Sequence, residues 1–221
     1  ATKIFRHSEE MIQFLKTDTV EFIKIIKIGT VPWLSKDQTY SFLKPLILSK
    51  HIKIEVYQKD LDALIKDVQN NRLDVILCDS PYSGRSKKLM GHRLTTDPII
   101  CVCSPSHRIK GKFPNSLNGQ KIINYSEACM MAEKIENFFS QNKIKSNIVG
   151  SFTDSSLIRV TIENGNVIGF LPQSVVKQSL KNKSLKKLGE LEKVKFSLWA
   201  ITRKDYKKDG LIANTLKRSI K

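Results

Sequence analysis

The residues of this chain that could do chemistry are polar side chains at the ends of apolar runs. Asp79 and Ser80 close one such run. Thr153 and Asp154 follow another. In open α/β sheets the carboxyl ends of the strands are where ligands bind. We therefore take the polar and aromatic residues at strand ends and helix starts as candidate ligand-binding residues: Thr30, Trp33, Ser35, Lys59, Asp79, Ser80, Tyr125, Ser126, Thr153 and Asp154.

Two kinds of ligand fit these residue types. Hydroxyl groups and free amides at helix N-termini favour an anion, which Lys59 and Ser35 would help to hold. Asp79 and Asp154 could instead attract a monovalent cation through their oxygens, and their mutual repulsion would keep an empty site open. Either carboxylate could also have only a local role, Asp154 as a helix cap and Asp79 in a turn. No metal site is assigned.

Catalytic groups do not form a recognisable set. The four histidines are scattered along the chain in polar settings: His7, His51, His92 and His107. There is no Gly-x-Ser-x-Gly sequence around a serine nucleophile and no His-x-x-x-His pair for a metal. No Gly-x-Gly-x-x-Gly follows the first predicted strand, which argues against a dinucleotide site. We expect a protein that is not an enzyme and that needs no cofactor.

The elements that position these residues follow from hydrophobic spacing. Between Leu61 and Val68 the apolar residues recur at i, i+3, i+4 and i+7, which predicts a helix that Asn70 and Asn71 end. Residues 73–78 are then almost continuously apolar, typical of a buried parallel strand. Similar patterns predict strands at 23–30, 52–57, 121–125, 147–152 and 167–171, and helices at 4–16, after Ser35, and at 128–141, 155–164, 174–181 and 211–220.

The order of these elements predicts the fold class. Strand and helix alternate twice, and the second series starts after Pro105. We predict an α/β protein of two Rossmann-like lobes joined by two extended crossings, near residues 97–102 and 190–196. We expect no single continuous sheet through both lobes. Pro45 conflicts with a long helix, which should therefore kink or begin late.

Two motifs resemble the effector-binding domain of LysR-type transcription regulators. The first is Leu61-x-x-Leu64 followed by Leu73-Asp74, with Asn71 at the position of the family's glycine. The second, residues 162–172, keeps Gly165, Ile168, Leu171 and Pro172, while Val167 replaces a second glycine. Residues 72–81 and 150–154 resemble most the NhaR-type branch, regulators of sodium/proton antiporter genes.

The resemblance implies a type II periplasmic-binding-protein-like fold that binds a small-molecule or ionic effector between its lobes. It implies residues 1–21 as the remnant of a linker helix, 22–97 with 195–221 as lobe I, and 98–194 as lobe II. It further implies self-association as a dimer or tetramer, a cytoplasmic location, and DNA contact only through an N-terminal helix-turn-helix domain absent from this sequence. A solute-binding protein of a transporter, with the same two-lobed fold, is the alternative.

Charge and cysteine content leave two questions open. The chain carries a formal net charge of +17, with lysines in almost every segment. This is either a solvated surface or a basic face that helps an attached DNA-binding domain. Cys78, Cys101, Cys103 and Cys129 lack metal-type spacing, and we expect buried free thiols rather than a redox switch or a metal site. No apolar run is long enough to span a membrane.

Overall fold

The computed structural model describes residues 23–82, 84 and 87–206. Within this part of the chain, strands and helices alternate in two halves. The first half consists of β1 (Lys24–Thr30), α1 (Lys36–Ile47), β2 (Ile52–Gln58), α2 (Leu61–Gln69) and β3 (Val75–Cys78). The second half consists of β5 (Lys121–Tyr125), α3 (Met130–Gln141), β6 (Asn147–Phe152), α4 (Ser155–Asn164), β7 (Ile168–Pro172) and α5 (Gln173–Lys181). The helices predicted at 4–16 and 211–220 lie outside the described residues.

Two long strands connect the halves, β4 (Leu89–Cys103) and β8 (Lys186–Arg203). They pair with each other in antiparallel fashion, while the strands within each half are parallel. The two predicted α/β units and their two extended crossings are therefore confirmed. The hydrogen-bond ladder nevertheless runs through eight strands in the order β2-β1-β3-β8-β4-β7-β5-β6. The expectation that no sheet is shared was wrong, because the crossings are themselves strands that pair on both sides.

The ladder between β4 and β8 breaks where the chain passes from one half to the other. Pro98 pairs with Lys195, but Ile100 pairs with Glu190, so residues 191–194 are left out of the register. Lys193, inside this bulge, has a left-handed φ of 63°. Bulges of this kind bend a strand and increase its local twist. The break therefore lies inside the crossings predicted near 97–102 and 190–196.

The turns around α1 and α2 follow from their sequences. Ser35 has extended backbone and its hydroxyl accepts a hydrogen bond from the Asp37 N–H, so it caps α1 as predicted. Asn71 follows α2 with a φ of 56°, the left-handed conformation that asparagine tolerates well. Helix α1 begins at Lys36, so Pro45, near its C-terminal end, does not delay its start.

Each half packs a helix tightly against a glycine of its sheet. A Cβ atom at Gly29 of β1 would meet the Leu64 side chain of α2, and one at Gly169 of β7 would meet the Ile162 side chain of α4. The absence of a side chain at these two strand positions therefore makes room for the present Leu64 and Ile162 side chains. No helix among the described residues is long and apolar enough to cross a membrane.

Candidate functional site

The candidate site lies where the two halves touch. The strands β1 and β3 end there from the first half, and β5 and β6 from the second. The hydroxyl of Ser155, at the start of α4, donates a hydrogen bond of 2.7 Å to the backbone oxygen of Trp33. The thiol of Cys129 donates to Asp79 Oδ2 at 3.5 Å. Two of the predicted residues, Trp33 and Asp79, thus contact residues of the opposite half that were not among the predicted ligand-binding residues.

Asp79 is the central charged group of this contact. The residue is only 5% exposed, and its one side-chain hydrogen bond among the described residues is the bond from Cys129. It makes no ion pair within the described part of the chain. A buried carboxylate without a cationic partner is unfavourable, because neither water nor an opposite charge stabilises it. Asp79 is therefore suited to receive a proton donor or a positive charge.

The groups around Asp79 are kept in their protonated forms. Burial, followed by the negative charge of Asp79, raises the pKa of the Cys129 thiol. Burial also raises the pKa of Tyr125, whose hydroxyl lies 3.3 Å from the Ser155 hydroxyl. At neutral pH both residues are neutral and can donate a hydrogen bond. The surroundings of Asp79 therefore contain neutral hydrogen-bond donors.

The Asp154 side chain caps its own helix, which was one of the two roles predicted for it. Its Oδ1 accepts hydrogen bonds from the N–H groups of Ser156 at 2.6 Å and Leu157 at 3.3 Å, which caps α4. Lys36, at the start of α1, places its Nζ 3.6 Å from the other carboxylate oxygen. This ion pair bridges the halves and partly neutralises Asp154. Any repulsion between Asp79 and Asp154 is correspondingly reduced.

Two buried polar atoms at this place have no hydrogen-bond partner among the described residues. They are Nε1 of Trp33 and Oγ of Ser126. Most buried polar groups in proteins are hydrogen-bonded, so such atoms call for an explanation. The indole N–H can only donate, whereas the serine hydroxyl can donate or accept. Each atom therefore keeps an unused capacity for hydrogen bonding in this conformation.

The remaining predicted residues are placed less favourably. Lys59 donates to Asp67 Oδ2 at 2.7 Å, within its own half, and this hydrogen bond is the main cause that lowers the pKa of Asp67. Thr153 is exposed, and the buried Thr30 accepts the Lys59 N–H through its backbone oxygen at 3.2 Å. Ser80 lines a cavity of about 400 Å³ beside α2. Their roles as ligand-binding residues stay predictions.

Sequence reasoning missed four residues that hold the halves together. Lys36 and Ser155 have been described above, and Gln38 donates to the Ser174 hydroxyl at 3.4 Å. Cys129 was predicted only as a buried thiol. Ser155 and Lys36 directly follow the predicted residues Asp154 and Ser35, so their position at helix starts was the available signal. The sequence alone does not reveal contacts between residues more than 100 positions apart, such as Trp33 and Ser155.

The cysteines are free and buried, as expected: Cys78, Cys101, Cys103 and Cys129. Burial raises the pKa of Cys78 to about 12 and raises the pKa of Cys101 and Cys103. Since the thiolate is the reactive form, the raised pKa values favour the less reactive protonated thiols at neutral pH. The described residues contain no group of three or more His, Cys, Asp or Glu side chains that could hold a metal ion.

Comparisons with known proteins agree with this architecture. Residues 26–216 match the model of the LysR substrate binding domain family. The chain belongs to this family. The transcriptional activator protein NhaR of Escherichia coli is 23% identical over 200 residues, which cover 88% of this chain and 64% of NhaR. The chain thus spans less than two thirds of the length of this relative.

Solved structures show the same fold. The apo regulatory domain of HypT from Salmonella typhimurium superimposes with a TM-score of 0.74 at 15% identity, covering 92% of this chain and 96% of that domain. Full-length HypT, described as a hypochlorite-specific LysR-type transcriptional regulator, gives a TM-score of 0.71 at 16% identity, covering 99% of this chain and 74% of HypT. The chain is therefore a two-lobed LysR-type effector-binding domain, and the transporter alternative is not supported.

Proposed function

We propose that this domain senses a cation or a ligand ammonium group at Asp79 and relays its binding to a DNA-binding domain elsewhere in the same protein. The observation that carries the proposal is the buried Asp79 carboxylate, which has no cationic partner among the described residues and receives only the Cys129 thiol from the opposite half. A positive charge bound there would favour the closed arrangement of the halves. The resulting population shift is the signal.

The division of the chain follows the same proposal. We assign residues 22–97 and 195–221 to lobe I, 98–194 to lobe II and 1–21 to a linker. The register break between Pro98 and Ile100 of β4, opposite Lys195 and Glu190 of β8, supports this division for the described residues. A ligand between the lobes would act on this break, because it is the place where the register between the two crossing strands shifts.

An anionic effector is the competing candidate within the same site. It is less well supported, since Asp154 already occupies the N–H groups at the start of α4 and Lys59 is paired with Asp67. An anion would have to rely on the indole N–H of Trp33 and the hydroxyl of Ser126. The two candidates differ in their response to the charge of Asp79.

The test is thermal stability in a panel of sodium, lithium, potassium, small amines and small organic acids. A ligand that binds only the folded state raises the melting temperature with its concentration. We expect one of the cations or amines to do so, and Asp79→Asn to abolish the response. Asp60→Asn, which removes one exposed carboxylate outside the site, should retain it. If Asp79→Asn kept the full cation response, or if only organic acids stabilised the protein, the cation proposal would be wrong.

We also propose that two copies of the chain associate through the outer faces of both halves. In each half an edge strand and a helix expose large apolar side chains, a feature typical of interaction surfaces. On the first half they are Tyr40, Ile47, Leu48, Val56 and Tyr57. On the second half they are Ile148, Val149, Leu157 and Val160. Two such faces on one chain allow a two-fold dimer in which each face contacts the other type.

Sedimentation velocity measures this association. We expect Leu157→Glu to shift the protein toward the monomer, because a charge in the centre of an apolar interface is poorly solvated. Met90→Glu, at a similarly exposed apolar residue outside both faces, is the matched control. An unchanged dimer in Leu157→Glu would exclude this surface. A monomeric wild-type protein at all concentrations would do so as well.

A further inference from the structure

The outer end of the second half, on the side away from the candidate site, is basic. Three segments form it. Residues 104–121 lead into β5, residues 142–147 connect α3 to the start of β6, and residues 181–187 run from the end of α5 into the start of β8. None of these three segments contains an aspartate or a glutamate. Together they expose nine basic side chains: Arg108, Lys110, Lys112, Lys121, Lys143, Lys145, Lys181, Lys183 and Lys187. We call this surface the basic end.

The three segments form one continuous surface. The Nζ of Lys186 donates to the backbone oxygens of His107 at 2.6 Å and Pro105 at 3.3 Å, which joins the first segment to the third. The Lys145 N–H donates to Asn118 Oδ1 at 2.8 Å, and its backbone oxygen accepts the Gly119 N–H at 2.9 Å, which joins the first to the second. The basic side chains therefore lie on neighbouring stretches of backbone.

Most charges of the basic end are not neutralised locally. Lys187 pairs with Glu190 at 3.0 Å. None of the other eight exposed basic side chains forms an ion pair within the part of the chain that the structure describes. Two further nearby carboxylates belong to the helices behind it. Glu163 is held by Arg159 at 3.2 Å, and Glu136 lines a shallow groove together with Lys143 and Lys145. An uncompensated cluster of lysines attracts a polyanion.

We propose that the basic end contacts the phosphate backbone of duplex DNA without reading its sequence. Lysines act as point charges on phosphate, and such contacts supply affinity but no base recognition. Phe113, the aromatic residue of these segments, is stacked on Phe138 at 5.8 Å and is only partly exposed, so the surface lacks a platform for unpaired bases. In a regulator that carries its own DNA-binding domain, the duplex would be held nearby, so even weak contacts would add to affinity.

Fluorescence anisotropy with a labelled duplex of arbitrary sequence tests the proposal on the 221-residue chain. The variant Lys110→Gln/Lys145→Gln/Lys183→Gln removes one charge from each segment. The control Lys44→Gln/Lys50→Gln/Lys53→Gln removes three exposed charges from the first half. We expect the first variant to weaken binding about tenfold at low salt and to reduce the salt dependence by about 0.9 per lost phosphate contact. The control should change both quantities little.

Two results would overturn the proposal. Equal losses in both variants would mean that only the net charge of the protein matters. Displacement of the duplex by polyglutamate as efficiently as by unlabelled duplex would assign the surface to an acidic protein instead. Circular dichroism must show that both variants are folded. Because these lysines lie away from Asp79, the effector test and the DNA test can fail independently.

Discussion

Three largely buried carboxylates in this domain have different surroundings. Asp67 of the first half receives the Lys59 ammonium at 2.7 Å, and the Arg72 guanidinium lies 3.6 Å away. Glu163 of the second half receives Arg159 and the hydroxyls of Ser179 and Ser184. Asp79, between the halves, receives only a thiol. The two carboxylates inside the halves are compensated, and the one at the contact between them is not.

We expect this difference to separate structural charges from functional ones. A buried charge stabilises a fold when its hydrogen bonds and counter-charges replace the water that it has lost. Asp67 and Glu163 meet that condition with partners from their own half. Asp79 does not meet it within the described part of the chain, and it lies where the two halves touch. The comparison predicts opposite responses to the same isosteric change from carboxylate to amide.

The largest expected effect is at Glu163. Replacing Glu163 by Gln removes the negative charge that accepts hydrogen bonds from Arg159 and the two serine hydroxyls. It also places an amide NH₂ group, which is itself a donor, next to these donors. We expect the free energy of unfolding to fall by about 1–3 kcal/mol. Denaturant titration measures this change, with the exposed Glu133→Gln on α3 as a control that should be neutral. An unchanged stability in Glu163→Gln would show that the network contributes nothing.

A smaller effect is expected at Asp67, and it depends on pH. The hydrogen bond from Lys59 lowers the pKa of Asp67. The ionised Asp67 carboxylate therefore contributes its full share of folding stability above the usual aspartate pKa, near pH 4. This contribution is lost as the pH falls through the lowered pKa of Asp67. Lys59→Gln should lower the melting temperature by about 2 °C at pH 7, and the gap to wild type should close as the pH is lowered below about 4. A gap independent of pH would contradict this linkage.

Sequence patterns predicted the elements well because they depend on local spacing. Apolar residues between Leu61 and Val68 identify α2, and a continuous apolar run identifies β3. Asn71 could be assigned to the left-handed turn because few residues tolerate it. The two extended crossings were also visible, as long stretches without helical periodicity. Their pairing with each other was not, since nothing in either strand encodes its partner.

Sequence patterns predicted the site only as a set of strand ends. Lys59 was taken for a ligand-binding residue because it follows a strand, but it lies over α2, where Asp67 is its partner. Cys129 gained its role from a contact with a residue 50 positions away. The basic end was hidden by the high overall lysine content. The feature of the sequence that indicates the basic end is the absence of acidic residues from three segments, and these segments come together only in the folded chain.

The smallest expected effect, and the one of opposite sign, is at Asp79. Asp79→Asn keeps the size of the side chain and an oxygen that can accept the Cys129 thiol, but it removes a buried charge that has no cationic partner among the described residues. We expect the stability of the ligand-free protein to be unchanged or to rise by up to about 1 kcal/mol. Denaturant titration of Asp79→Asn beside Glu163→Gln, in a buffer free of sodium, lithium and amines, gives the comparison directly. A loss at Asp79 as large as that at Glu163 would make it a third structural carboxylate and would remove the basis for a cation site between the halves.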